Sequence, residues 1–298
     1  MGPLLFLIFI NGVDSCVTRS SVIKYADDIK LFTTFPSDYA SQLAASEELQ
    51  TDMKHLYDWS TKNGLSLNLS KCKVMHFGTS NVQNPVHLDG AALDAVDTIK
   101  DLGVFLTSSC TFSYHVSHIV SRSNKALGLI KRVFLSRDKN VLLPLYKARV
   151  RSILEYGSIL WDPYRHFLSE AIEKVQRRFT RIFPHLRGLS YRERLSHLKL
   201  LSLSARRLRY KLIFLYKIVN NHVDVDPDVY FSFATYTSTR GNPVKIIPPF
   251  SRRDCRRHFF SVDTVFHWNS MYKHEVDVHT VTAFKKSIVK YFDRNGIW

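Results

Sequence analysis

The residues best suited to chemistry are the paired carboxylates of Tyr25-Ala26-Asp27-Asp28. Two adjacent acids between short apolar runs repel each other, and burial raises the cost. A hard divalent cation such as Mg²⁺ removes it, because it takes carboxylate oxygens, keeps several waters and binds substrate phosphates through its remaining positions. Two such ions about 3.5–4 Å apart activate an attacking hydroxyl and stabilise a leaving phosphate. That chemistry needs its acids on a rigid tip. The competing reading is a common turn dipeptide with no chemistry.

The elements that must hold this tip can be read from the flanking residues. Val22-Ile23-Lys24-Tyr25 and Ile29-Lys30-Leu31-Phe32 are short β-rich runs, so the acids sit at the tip of a hairpin. Pro3 to about Val13 reads as a buried helix. Ser37 is a plausible N-cap for a helix from about Asp38 to Lys62, whose Leu43, Leu49, Met53, Leu56 and Trp59 recur at helical spacing. Asn63-Gly64 stops it. A strand over 73–77, a hairpin turning on Asp89-Gly90 and a strand from Thr98 to Leu106 complete an α+β region over residues 1–110. From there to residue 221 the pattern is helical, with helices expected over 114–135, 139–161, 167–183, 190–197 and 202–221. Residues 222–298 read as a small C-terminal extension, with an irregular loop from Pro227 to Pro249 and a last helix over about 281–293.

Charge divides the chain in the same way. The formal net charge is +16, but residues 1–110 carry −4, residues 111–220 carry +17 and residues 221–298 carry +3. A basic block of that size points to a polyanion, nucleic acid first and an anionic membrane surface second. Its arginines and lysines include Lys131 and Arg132, then Arg177, Arg178 and Arg181, then Arg206, Arg207, Arg209 and Lys211. Arg177 with Arg181, Arg206 with Arg209, and Arg207 with Lys211 fall on shared helix faces. Such stripes suit a phosphate backbone held without base reading; the bland alternative is a solvated helix face. Arg252-Arg253-Asp254-Cys255-Arg256-Arg257-His258 is a second basic cluster, suited to a nucleic-acid contact or a nuclear-import patch.

Other classes are disfavoured. Four scattered cysteines form neither a CxxC pair nor a disulfide framework, which suits a reduced, intracellular chain in nucleus or cytoplasm. No apolar run approaches the roughly 18 residues of a membrane helix. The run from Leu4 to Ile10 lacks the basic residues that open a signal peptide. Cys255 and His258 are too few for zinc.

Taken together in order, these segments resemble reverse transcriptases of non-LTR (LINE-type, Jockey-like and chicken-repeat-like) retrotransposons. Met1 through Asn11 resembles the end of the Gly-rich segment, and Tyr25-Ala26-Asp27-Asp28 resembles the YxDD box. Trp59 to Asn68, with Lys71-Cys72 and Val74 to Gly78, resembles the next palm motif. Asp101-Leu102-Gly103-Val104-Phe105-Leu106 resembles the primer-grip hairpin, and Phe112 to Phe134 the start of the thumb. Phe259-Phe260-Ser261-Val262 and Trp268-Asn269-Ser270 resemble the C-terminal segment.

The resemblance implies a partial polymerase palm over residues 1–110, a basic all-helical thumb over 111–221 and an extension over 222–298. It implies RNA-directed DNA polymerisation with an RNA template, a DNA primer, deoxynucleoside triphosphates and Mg²⁺. Asp27 is then the main metal ligand and Asp28 its acidic partner. Tyr25 and Ala26 pack under the primer end, and Leu102 and Gly103 shape the primer-grip turn. Lys71 is the candidate acid for the pyrophosphate leaving group, unless it is simply a solvated lysine. The family's third catalytic aspartate and its fingers lie upstream of the segments matched here, and Asp14 is not a substitute. The isolated chain is therefore expected to polymerise poorly, and a non-catalytic nucleic-acid-binding remnant is the alternative.

Overall fold

A computed structural model describes residues 2–78, 80–235, 242 and 244–298. Met1 of the Gly-rich resemblance, and residues 236–241 and 243 of the expected loop, lie outside the described residues. The fold is α+β, in two compact units, Met1–Thr111 and Phe112–Trp298.

The first unit opens with helix α1 (Gly2–Ile10) and a 3₁₀ turn (Asn11–Ser15). The sequence suggested that this helix is buried. Instead Leu4, Leu5, Leu7, Ile8 and Phe9 are exposed; Ile10 is buried in the core and Phe6 packs against it. A helix apolar on all sides has no preferred inward face, so the sequence alone could not orient it. Strands β1 (Ser21–Tyr25) and β2 (Asp28–Phe32) form the expected antiparallel hairpin, with Val22 opposite Leu31 and Tyr25 opposite Asp28. Helix α2 (Tyr39–Lys62) follows, capped by Asp38 rather than Ser37; the Asp38 carboxylate accepts from the Ser41 N–H. Ile10, Val13, Val17 and Leu56 form the core of the unit, with Val22, Ile29, Leu31 and Trp59 packed on it. The inward side of the hairpin is thereby fixed against α2.

The rest of this unit is made of two-residue and four-residue pairings. Strand β3 is only Lys73–Val74, shorter than expected, and pairs in parallel with β6 (Asp94–Ala95). Strands β4 (His87–Leu88) and β5 (Ala91–Ala92) form the hairpin turning on Asp89-Gly90. The single strand expected from Thr98 to Leu106 is a hairpin of β7 (Thr98–Asp101) and β8 (Val104–Thr107), reversed at Leu102-Gly103.

The second unit begins with α3 (Ser113–Val133). The helix expected over 139–161 is broken into α4 (Lys139–Tyr146), a π turn (Lys147–Arg151), α5 (Ser152–Glu155) and α6 (Ser158–Trp161). The break before α6 falls at Gly157, whose φ of +64° an L side chain rarely adopts. Then come α7 (His166–Thr180), α8 (Tyr191–Leu198) and α9 (Leu203–Val219). Buried Glu173 pins three of them. It accepts from the Leu203 N–H at 3.0 Å and the Ser204 N–H at 3.3 Å, at the positive end of α9, and from the Tyr191 hydroxyl.

Past residue 221 lie α10 (Pro227–Tyr230) and the paired strands β9 (Ser232–Phe233) and β10 (Ile246–Ile247). Four helices finish the chain: α11 (Asp254–Arg257), α12 (Phe260–Asn269), α13 (Lys273–Val276) and α14 (Val281–Arg294). The sequence reading had foreseen only the last of these. Leu212, Leu215 and Tyr216 of α9 share one core with Trp268 of α12 and Phe284, Ile288 and Tyr291 of α14. The stretch expected as an extension is thus packed into the same unit as the helices before it.

Candidate active site and nucleic-acid surface

The hairpin reverses through two residues, Ala26 and Asp27. Ala26 has φ +53° and Asp27 does not share that sign, which is the pattern of a type II′ turn with alanine where glycine is usual. A positive φ of this kind costs about 1–3 kcal/mol for a residue with a Cβ. The turn puts Asp27 at the apex and Asp28 at the first position of β2, and all four residues from Tyr25 to Asp28 are exposed.

A residue absent from the sequence reading anchors this hairpin. Asp52 of α2 is fully buried, and its carboxylate accepts from the backbone N–H groups of Thr18 at 3.1 Å, Arg19 at 2.9 Å and Ser20 at 2.6 Å. Ser20 leads directly into β1. Burial pushes the Asp52 carboxyl up, but the three N–H donors outweigh it and hold the group below the usual carboxylate range. The only hint in the sequence was an acid on the apolar side of α2. Lys24, next to Tyr25 near the tip of the hairpin, pairs with Asp14 at 2.7 Å, so Asp14 is engaged in an ion pair.

The second turn is attached to the first hairpin. Lys30, two residues beyond Asp28, pairs with Asp101 at 2.6 Å, and Asp101 immediately precedes Leu102. Leu102 and Gly103 have φ of +43° and +88°, the type I′ combination. Gly103 is therefore a turn glycine. Leu102 is exposed in a conformation that is unusual for a bulky residue. Lys71 sits exposed in a 3₁₀ turn (Leu69–Lys71), and among the described residues it has no ion pair or hydrogen bond to Asp27 or Asp28.

Two adjacent carboxylates are the right donors for a hard cation. Yet no group of three His, Cys, Asp or Glu side chains able to hold a metal occurs among the described residues. Asp27 and Asp28 alone do not complete a metal site, and no reaction step follows from them unaided.

In the second unit, the basic residues separate into two populations. Arg207 and Lys211 were expected on a nucleic-acid face. They are instead buried, Arg207 bonded to Asp162 at 2.6 Å and Lys211 to Asp162 and Asp263 at 2.5 Å each. Burial disfavours the charged lysine, but the two carboxylates outweigh it and raise its pKa. Arg206 is also taken up, half-buried and bonded to Glu155 and to the Tyr210 hydroxyl. Arg209 is half-buried on the same helix. The i, i+4 spacing identified a shared face correctly, but that face looks into the core.

The exposed population lies on α3 and α7. Lys131, Arg132, Arg178 and Arg181 are exposed, as are Arg122, Lys125 and Lys174, which the sequence reading did not single out. Lys174, Arg178 and Arg181 follow one face at i, i+4 and i+7. Arg177 is partly withdrawn, paired with Glu170 and lying 5.0 Å from the Tyr191 ring centre. Arg178 donates to the Asn124 side chain at 2.9 Å, which joins the two helices into one surface. Lys131 stands two turns along α3 on the same stripe as Asn124. Helix α3 contains no acidic residue.

Comparison with known proteins agrees with this geometry. A family model described as reverse transcriptase (RNA-dependent DNA polymerase) matches residues 1–127. The RNA-directed DNA polymerase from mobile element jockey of Drosophila melanogaster is 25% identical over 167 residues, 53% of this chain and 18% of its own length. The probable RNA-directed DNA polymerase from transposon X-element of the same species is 24% identical over 190 residues, 61% of this chain and 20% of its own length. The jockey polymerase of Drosophila funebris is 27% identical over 168 residues, 53% of this chain and 18% of its own length. The chain thus spans about a fifth of the length of the curated relatives it matches. No solved structure gives a significant match. No helix among the described residues is long and apolar enough to cross a membrane. The paired acids on a hairpin tip thus fall in a segment, residues 1–127, that is similar to reverse transcriptases, and the curated relatives named here are RNA-directed DNA polymerases of mobile elements.

Proposed function

We propose that the chain contributes the acidic hairpin and the duplex-gripping helices of an RNA-directed DNA polymerase. The observation that carries this reading is the turn at Ala26-Asp27, which holds two adjacent exposed carboxylates at a tight hairpin tip. In this reading Asp27 and Asp28 are two of the ligands for Mg²⁺, and a third carboxylate must join them. Tyr25 and Ala26 lie under the primer end, and the Leu102-Gly103 turn, tethered through Lys30 and Asp101, supports the same strand. Lys71 is the candidate proton donor to pyrophosphate. The exposed cations of α3 and α7 hold an RNA–DNA hybrid by its backbone, a mode that needs shape and charge rather than base contacts. The substrates are an RNA template, a DNA primer and deoxynucleoside triphosphates, and the setting is nucleus or cytoplasm.

A second reading has its own support. The exposed cations of α3 and α7, with no third metal donor beside Asp27 and Asp28 among the described residues, fit a module that grips nucleic acid without catalysis. Primer extension on an RNA template with Mg²⁺, run beside salt-dependent binding of an RNA–DNA hybrid, separates the two. Extension that disappears in Asp27→Asn supports the polymerase. Tight, salt-sensitive binding with no extension supports the binding module. Absence of both overturns each.

A further inference from the structure

The second basic cluster, Arg252 to His258, plays no part in the surface formed by α3 and α7. The structure surrounds it with features that the sequence did not reveal. His258 stacks on Tyr164, with ring centres 4.4 Å apart and planes 3° from parallel. Arg165 lies 5.7 Å from the centre of the same tyrosine ring. The stack therefore brings Arg165, from the loop before α7, to the arginines around α11. Arg252, Arg253, Arg256 and Arg257 are all exposed. The one acid among them, Asp254, pairs with Arg257 at 3.2 Å. Arg252 and Arg253 have no ion pair among the described residues.

Two residues upstream of Arg252 is Phe250, 88% exposed and preceded by Pro248-Pro249. The prolines restrict the backbone before the ring, so it is displayed on a stiffened segment. Tyr164 is 41% exposed. Arginine in preference to lysine, beside the open ring of Phe250 and the exposed part of the Tyr164 ring that His258 leaves uncovered, suits a ligand that offers both phosphates and unstacked bases. A duplex offers no free base faces, so it uses only half of what this patch provides.

We propose that Phe250, Tyr164 and the Arg252–Arg257 segment form a binding site for single-stranded nucleic acid, separate from the duplex surface. The separation follows from α7 itself. Arg165 precedes the helix and Arg178 lies 13 residues on, so the two surfaces stand roughly 20 Å apart along one axis at 1.5 Å per residue.

The test uses the full chain with fluorescein-labelled 20-nucleotide single strands, RNA and DNA in parallel, and an RNA–DNA duplex of the same length. Arg252→Ala with Arg253→Ala should weaken single-strand binding and lower its salt slope by about 1.4, at about 0.7 per phosphate contact. Phe250→Ala should weaken it about tenfold with the slope unchanged, the loss of one stacked base. Both variants should leave duplex affinity intact, while Arg178→Ala with Arg181→Ala should do the reverse. Equal effects of the RNA and DNA strands identify a backbone-and-stacking site, and a preference for RNA adds contact with the 2′-hydroxyl; either supports the site. All substitutions are at exposed positions, and an unchanged thermal melt confirms that folding is not being read. Unchanged single-strand binding in all the Arg252, Arg253 and Phe250 variants, or equal losses on duplex and single strand, overturns the proposal. So does selective loss of binding to anionic vesicles with single-strand binding unaltered.

Discussion

Replacing Asp52 tests how the acidic hairpin is held. Its carboxylate receives three backbone N–H bonds at 2.6–3.1 Å from Thr18, Arg19 and Ser20, immediately before β1. Asparagine keeps the shape but loses the charge, and its amide nitrogen faces donors. Hydrogen bonds to a charged group contribute about 1.5–3 kcal/mol each. Thr18 and Arg19 are exposed, so water replaces much of their share, whereas Ser20 is half-buried. The expected loss in Asp52→Asn is therefore about 2–3 kcal/mol, or roughly 30- to 160-fold in the local opening constant. Hydrogen exchange resolved by peptide, corrected for intrinsic rates, should show that loss over residues 18–32 at pH 7. The sign with pH follows from the depressed carboxyl. Its contribution is complete above the unfolded value near 4 and is lost as pH falls through the lower folded value. Wild-type protection over residues 18–32 should therefore hold to about pH 4 and then decline, while the variant lacks this component. Equal protection in the two proteins at pH 7, or a wild-type decline already under way at pH 6, would refute the anchoring role.

Lys174→Glu with Arg178→Glu should weaken binding of an RNA–DNA duplex and reduce its salt slope by roughly 0.9 per lost contact, as measured by fluorescence anisotropy across salt concentrations. Lys211→Met should lower unfolding free energy by about 3–5 kcal/mol in urea titration, because Asp162 and Asp263 lose a buried partner. At a temperature where that variant is folded, its duplex salt slope should equal that of wild type; a reduced slope would return Lys211 to the nucleic-acid face. Burial, followed by the neighbouring charge of His118, lowers the His115 pKa to about 4. Because the unfolded chain takes the proton first, stability should be full above pH 6.5 and fall by about 2–3 kcal/mol toward pH 4. Urea titrations of His115→Leu should lack that component of the acid limb.

Local signals carried far in this chain. The Asp38-to-Lys62 helix, the Asp89-Gly90 turn and the Tyr25-to-Asp28 hairpin depend on neighbours in sequence, and each was readable there. Arg207 and Lys211 show where the reading stopped. Their helical spacing was correct, but the decision between solvent and core lay with Asp162 and Asp263, 45 or more residues away. The same holds for Asp52, whose donors lie more than 30 residues earlier. Helix α1 failed for another reason: a uniformly apolar segment carries no information about which side is covered. Within the site, residue types and order were legible, whereas the tether from Lys30 to Asp101 needed the fold.

The shared core of the second unit has a consequence for how the chain is made. Tyr216 of α9 stacks on Phe284 of α14 with ring centres 4.2 Å apart, 68 residues later in the chain. At about 5–20 residues per second, a ribosome takes roughly 3 to 14 s to deliver the second ring after the first. Throughout that interval Leu212, Leu215 and Tyr216 lack the helix that covers them. Slower translation across residues 217–284 lengthens the wait, so the yield of native chain should depend on codon choice in that stretch more than in the segment encoding residues 285–298.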